Sequence, residues 1–407
     1  MLIPYGKPND AVLKLLKLTE ADFLIAAAGS VPAKDVQEQC SGVKEVMWVV
    51  EETSREVDWT DASENTSTWH EIVDEQAAQA SSELPSDVAD ENVPDIVTLW
   101  LDESPTSGEL VAFSQHNIVA AVAAQITALP RNHRFSTSDL FLPADALTTP
   151  SMLVLTLAAL YTNASVALSS VSGSDVSLAS IAPSISPTII AGTSAQAFQL
   201  HEDTSKNIRT TGHKYALSAQ RSALQSGIMP HAASSLASKV TTPISASIGS
   251  MPGKLRLLYV LDRTNADSPP TSSARLTDIR AFTGARVVHA LTTAKVAGPI
   301  AQTNLFDYRS ESDPTEPSHF GTPPACLELL VKDKGEYSTS DQRAQGEVSL
   351  PTSIHERNSV LIIVQLVARG PAVQGGEANL GVYAEFRDDG CLNYLFQYPE
   401  SSTKPSP

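Results

Sequence analysis

Apolar positions in the first fifty residues switch between two periods. Residues 11–18 (AVLKLLKL) space theirs as one face of a short helix, whereas 22–28 (DFLIAAA) and 44–50 (KEVMWVV) are short apolar runs that predict strands. Helix and strand alternating this early predict an α/β sheet. The rhythm returns with a strand at 96–101 (IVTLWL) and an Ala- and Leu-rich helix at 116–129, stopped by Pro130. A strand at 140–142, a helix at 152–161, a strand at 165–168 and a short buried strand at 187–191 follow. The Ser- and Ala-rich interval 222–253 predicts a helix and then a loop. Beyond it come a strand at 255–261 (LRLLYVL), a turn-rich connector at 265–273, a helix at 274–282 and a strand at 286–289. From about residue 338 the texture is β-rich, with 347–350 and 360–367 (VLIIVQLV) as strands, and no internal repeat stands out.

Composition narrows this picture. With 407 residues, 42% of them hydrophobic, the chain holds enough apolar surface for a substantial core and is not a wholly disordered one. Its net charge of −18 argues against a broad nucleic-acid surface and against a polybasic membrane patch. Residues 1–100 carry 20 acids and 6 bases, so most of the imbalance lies in the first quarter, where 51–95 reads as a solvated acidic insert. Cys40, Cys326 and Cys391 are far apart and form no Cys-x-x-Cys pair for zinc or redox chemistry. The longest apolar stretch, 152–168, is broken by Thr156, Thr162, Asn163 and Ser165, so no transmembrane segment is expected. Met1 leads into Pro4 and Asp10 with no secretory signal pattern, which predicts an intracellular, cytoplasmic or similar, location and makes the sequons at Asn65 and Asn163 chance matches.

Isolated motifs add little. His70-Glu71 in WHEIVDE begins like a zinc-protease helix, but Asp74 stands where the second histidine belongs, so a solvated acidic helix is the expectation and no metal site is. His116 reads as a helix-start residue and Cys391 as a small buried hydrophobe. No Gly-x-Ser-x-Gly elbow exists, and Gly253-Lys254 lacks the rest of a phosphate-binding loop.

Taken in order, the segments LWLDESPTSGELVAFSQHNIVAAVAA (99–124), FLPADALTT (141–149), LTLAALYTNASVAL (155–168), PTII (187–190), KLRLLYVLDR (254–263), VVHALTTA (287–294), FGTPPACLELLVKD (320–333), GEVSLP (346–351) and RDDGCLNYL (387–395) resemble the large N-terminal domain of the adenylate-forming (AMP-binding) enzymes, particularly the acyl-CoA synthetase-like branch. The resemblance implies layered α/β sheets followed by a β-rich, barrel-like part. It divides the chain into a partial first α/β subdomain at 1–95, a second at 96–337, a β-rich subdomain at 338–400 and a tail at 401–407. It implies that the chain is trimmed at both ends, with the C-terminal lid domain and its catalytic lysine absent after Pro407.

The chemistry of that family joins a carboxylic acid to ATP, and three parts of its site should be legible. The first is a Gly-rich phosphate loop with a lysine, ahead of a His-x-Asn. Anchored on Asn117, the window 101–110 puts Glu103, Thr106 and Leu110 at the glycines and Glu109 at the lysine. Ser104, Thr106 and Gly108 are the vestigial nucleotide positions; a short gap could move Gly108 onto a glycine position, but no shift supplies a lysine. Asp102, Glu103 and Glu109 would face the triphosphate, each like-charge contact costing about 4 kcal/mol at an effective dielectric of ~20 and ~4 Å. The second part, Tyr-Gly-x-Thr-Glu, reads His289-Ala290-Leu291-Thr292-Thr293, so Thr292 survives and Thr293 replaces the Mg²⁺-holding glutamate. In the third, Thr-Gly-Asp becomes Ala378-Asn379 in its neighbourhood, with Asn379 at the ribose-binding aspartate. The Leu-Pro-x-x-His element keeps Leu142 and Pro143 without the histidine, and the hinge reads Phe396-Gln397. The expectation is a catalytically inactive member serving as a binding or scaffold subunit, with a protein partner or an acyl ligand and no cofactor. The alternative is a diverged long-chain fatty acid–CoA ligase using ATP and Mg²⁺.

Overall fold

The computed structural model describes residues 9–50, 66–77, 93–101, 108–169, 176–229, 254–264, 266, 270–311, 313–332 and 365–394. The expected strand at 347–350, residues 360–364 of the one expected at 360–367, residues 230–253 and the tail lie outside them. Two compact units divide at Gln115/His116, later in the chain than the 95/96 boundary expected from sequence.

In the first unit, α1 (Asn9–Thr19), β1 (Phe23–Ala27), α2 (Ala33–Gln39), β2 (Glu45–Val49), β3 (Thr66–Thr68) and α3 (Trp69–Gln76) build a three-stranded sheet of order β1-β2-β3, parallel throughout. Its core joins Leu13 and Leu16 of α1 to Val36 of α2 and to Val46 and Trp48 of β2. A capping box starts α3: the Thr68 hydroxyl accepts from Glu71 N–H and the Glu71 carboxylate accepts from Thr68 N–H. No residue of α3 is buried, as a solvated acidic helix requires. The antiparallel hairpin β4 (Ile96–Leu101) and β5 (Gly108–Phe113) completes the unit, with Leu101 opposite Gly108 and Trp100 opposite Glu109.

The second unit opens with α4 (Gln115–Ala128) and continues through β6 (Leu140–Pro143), α5 (Pro150–Tyr161), β7 (Ser165–Val166), α6 (Leu178–Ile185), β8 (Ile189–Thr193), α7 (Ser194–Ser205), α8 (Thr211–Gln225), β9 (Leu257–Arg263), α9 (Ser273–Thr283), β10 (Arg286–Thr292) and β11 (Pro299–Gln302). Its six-stranded sheet runs β11-β10-β9-β8-β6-β7, parallel except for the edge strand β11. Parallel strands need crossover connections and bury both faces, which is why β8, β9 and β10 are rich in apolar residues and why the polar His289, Thr292 and Asp262 within them are buried too. One face packs Phe135, Phe141, Met152, Leu155 and Tyr259 under α4 and α5; the other packs Leu142, Leu178, Leu200, Val260 and Ile279 under α6, α7 and α9. Each such side chain contributes roughly 1.5–3 kcal/mol of burial. The sequence reading assigns no helix between residues 191 and 222, where α7 lies and α8 begins. Helix α7 is fixed by a second capping box, Thr193 with Gln196, whose amide also donates to the carbonyls of Ala144 and Val176 at 2.9 Å each.

The β-rich part begins at β12 (Glu328–Lys332) and forms an antiparallel sheet with β13 (Gln365–Arg369), β14 (Glu377–Phe386) and β15 (Leu392–Tyr394), in that order. Leu366, Ala368, Leu380 and Leu392 share a core with Leu291 and Ile300 of the central sheet.

Candidate functional site

The described positions that match the family's nucleotide motifs fall on or beside β10, β14 and β5. His289 and Thr292 lie on β10, with Thr293 just beyond its C-terminal end, and exposure of the three is 0%, 3% and 4%. Asn379 is exposed on β14, opposite Val367, in a different sheet. Gly108 and Glu109 are the first residues of β5 in the other unit, with Glu109 exposed; Ser104 and Thr106 lie outside the described residues.

At β10 the side chains are committed to one another. Strand β9 runs parallel to β10 with Asp262 in register with Leu291, so Asp262 and His289 share a sheet face. His289 Nε2 lies 2.6 Å from Asp262 Oδ2, and His289 Nδ1 lies 3.3 Å from the His319 carbonyl oxygen. Both ring nitrogens therefore face acceptors. The ring is tilted by 30° against Phe320 at a centroid distance of 4.3 Å. The Thr292 hydroxyl donates to the Asp262 carbonyl at 2.9 Å, and Thr271 N–H donates to Asp262 Oδ2 at 3.0 Å. Burial alone would raise the Asp262 carboxyl; the hydrogen bond and charge of His289, with Ser194 and the Thr271 N–H, outweigh it and hold the group below the usual carboxylate value.

A second buried histidine adjoins the first. His319 Nδ1 accepts from Gly321 N–H at 3.0 Å, which fixes the proton on Nε2, 3.6 Å from Asp307 Oδ2. Burial lowers the pKa of His319 below its ordinary 6.5, with Asp307 only partly opposing. A base that stays neutral when folded stabilises the fold above the unfolded pKa, and that contribution is lost as pH falls from about 6.5 through the lower folded value. The depressed carboxyls of Asp139, Asp262, Asp278 and Asp307 add a second loss below their ordinary 3.8. Urea midpoints measured across the acid range should fall in these two stages, and His319→Gln should flatten the upper one; an unchanged upper stage would assign it elsewhere.

Asn117, the anchor of the His-x-Asn match, serves the fold. Its amide donates to the carbonyls of Pro371 at 2.7 Å and Val373 at 3.1 Å, tying α4 to the turn before β14. His116 beside it is exposed, and Asp145 is buried. The sequence reading misses the partner residues. Asp278 of α9 takes a two-point bond from Arg221 at 2.6 and 2.7 Å and one from His201 at 3.0 Å, clamping α7, α8 and α9 together. Asp139 takes Arg256 in the same fork, at 2.7 and 2.8 Å. An aspartate inside an apolar run, as in LLYVLDR, was the available signal. Burial pushes the Cys326 thiol up to about 11 and raises those of Cys40 and Cys391, all three of which are buried and free. Among the described residues no group of three or more His, Cys, Asp or Glu could hold a metal ion, and no helix is long and apolar enough to cross a membrane.

The fold has solved relatives. Coronafacic acid ligase from Pectobacterium brasiliense superposes with a TM-score of 0.56 at 15% identity, over 97% of this chain and 62% of that one. O-succinylbenzoate coenzyme A synthetase from Bacillus subtilis, solved with ATP and magnesium, gives 0.53 at 13%, over 95% and 62%. The luciferase-like enzyme from the nonluminescent mealworm Zophobas morio gives 0.57 at 10%, over 98% and 77%. The architecture is thus the mixed α/β fold of the adenylate-forming acyl- and aryl-CoA ligases, and the chain spans about 62% of the length of the first of these relatives. No family profile matches the chain, and no curated protein does. At such identities likeness establishes fold, while function rests on the site.

Proposed function

We propose that this protein is a catalytically inactive relative of the adenylate-forming ligases, acting as a binding or scaffold protein. The observation that carries the reading is the self-satisfied wall at β10. A nucleotide-binding wall must keep polar groups for its ligand, whereas both ring nitrogens of His289 face Asp262 and His319, Thr292 gives its one hydroxyl proton to the Asp262 carbonyl, and both residues are buried. Supporting it, Glu109 stands where the resemblance wants a lysine and Thr293 where it wants a glutamate. A protein partner suits the structure better than an acyl ligand, because the space under α4 and α5 is filled by Phe135, Phe141, Met152, Leu155 and Tyr259.

ATP–pyrophosphate exchange across a panel of aromatic and long-chain carboxylic acids tests the proposal. The expected result is exchange no faster than without protein. Exchange that Thr292→Ala abolishes would establish the ligase alternative, with ATP and Mg²⁺ as its cofactors.

A further inference from the structure

The opposite end of the central sheet carries a feature that the nucleotide question does not touch. At the N-terminal ends of its strands, Arg131 and His133 form a single 3-10 turn with Arg134 following, and Arg286 opens β10. The backbone of that turn is pinned by Arg256, which donates to the His133 carbonyl at 2.9 Å and the Arg134 carbonyl at 3.0 Å while Asp139 neutralises its charge. Phe306 sits between the two sets, 47% exposed. His133 meets the ring edge-on at 5.4 Å, and the Arg286 guanidinium carbon lies 5.3 Å from its centroid.

This face has unspent positive charge. Among the described residues, no carboxylate lies within ion-pair distance of Arg131, Arg134 or Arg286; Arg134 Nε donates to the Leu129 carbonyl at 3.3 Å, which leaves its charge unneutralised, and Arg286 Nε is enclosed without a hydrogen-bond partner. Asp307, next to Phe306, is no counter-charge, because it is taken up by Arg309 at 2.6 Å. In a chain of net charge −18, three arginines without a carboxylate partner, Arg286 against a half-open aromatic ring and Arg131 and Arg134 flanking the histidine that meets that ring, are a local reversal of sign. Burial, with the charges of Arg286 and Arg256, lowers the His133 pKa below its ordinary 6.5.

We propose that this face docks an acidic polypeptide segment that carries an apolar side chain. Phe306 receives the apolar group at the centre, and Arg131, Arg134 and Arg286 receive carboxylates around it, the division of labour that protein interfaces use. A compact phosphate would want convergent forks, yet Arg256 is already occupied by Asp139; a nucleic-acid strand would meet the charge of the whole chain. An acidic segment gives the binding-protein reading its class of partner and rests on that reading for its purpose, but peptide binding needs no ATP, so either can fail without the other.

The deciding experiment is fluorescence anisotropy of a synthetic glutamate-rich peptide containing one phenylalanine, titrated with the full chain. Saturable binding should weaken with salt, drop about tenfold in Arg131→Glu and again in Phe306→Ser, and vanish when glutamine replaces glutamate in the peptide. Arg131 is exposed on its turn, so that variant keeps the fold, which a thermal melt verifies. Absence of saturable binding, indifference to both substitutions, or tighter binding of a single-stranded oligonucleotide of equal charge would each overturn the proposal.

Discussion

Replacing Asp262 by alanine should destabilise the second unit by about 3–5 kcal/mol, because it strands a fully buried imidazole that now bonds to a carboxylate 2.6 Å away. The cost comes from the orphaned partner more than from the pair itself. Replacing both members with apolar groups, Asp262→Leu with His289→Phe, should therefore recover most of the loss, the second ring packing against Phe320 as His289 does. Urea unfolding followed at the transition that carries the central sheet reads both variants. A loss under about 1 kcal/mol for the single variant would mean that water reaches the pair.

Gly321→Ala should cost about 3 kcal/mol, for a different reason. Gly321 has φ of +73°, and a Cβ there would land on the Gln302 carbonyl and come within 2.7 Å of Thr303 Cα. Left-handed strain contributes about 1–2 kcal/mol and overpacking against backbone about 1–3. Its backbone is also in use at both ends, the N–H donating to His319 and the carbonyl accepting from Leu392 N–H at 2.7 Å. Gly284→Ala is the control: it shares a positive φ of +67° but opens on empty space, so it should cost only the strain. Equal losses in the two variants would show that the close approach at Gly321 is absent.

Much of the architecture was legible because of how parallel sheets bury themselves. Strands β8, β9 and β10 lie between two helical layers, so most of their residues are apolar on both faces and stand out as short runs. Helix α7 was not legible, since its buried positions are Gln196, Ala197, Leu200 and Thr204, half of them polar, and no apolar stripe marks it. The Thr193-x-x-Gln196 capping box was the better signal there. Strand β5 was obscured because its first three residues, 108–110, fall in the window matched to a phosphate loop, although burial of Val111 and Phe113 follows strand alternation.

The candidate site was legible only as a set of replaced residues. Sequence marks Thr293 and Glu109 as unsuited to Mg²⁺ and triphosphate, but it cannot say what His289 does instead. That depends on Asp262, 27 residues earlier, and on the backbone of His319, 30 residues later, brought together by the pairing of β9 with β10 and by the packing of Phe320 against the His289 ring. Local propensity carries no record of such contacts, whereas a charged residue closing an apolar strand hints that a buried partner exists.

Titration calorimetry of the full chain with Mg-ATP decides whether the protein binds nucleotide. Injections up to millimolar nucleotide should give only heats of dilution, in the wild type and in Glu109→Lys alike, because the β10 wall stays closed in both. Saturable heat with a dissociation constant in the micromolar range, about −8 kcal/mol of binding free energy, would contradict the proposed loss of nucleotide binding.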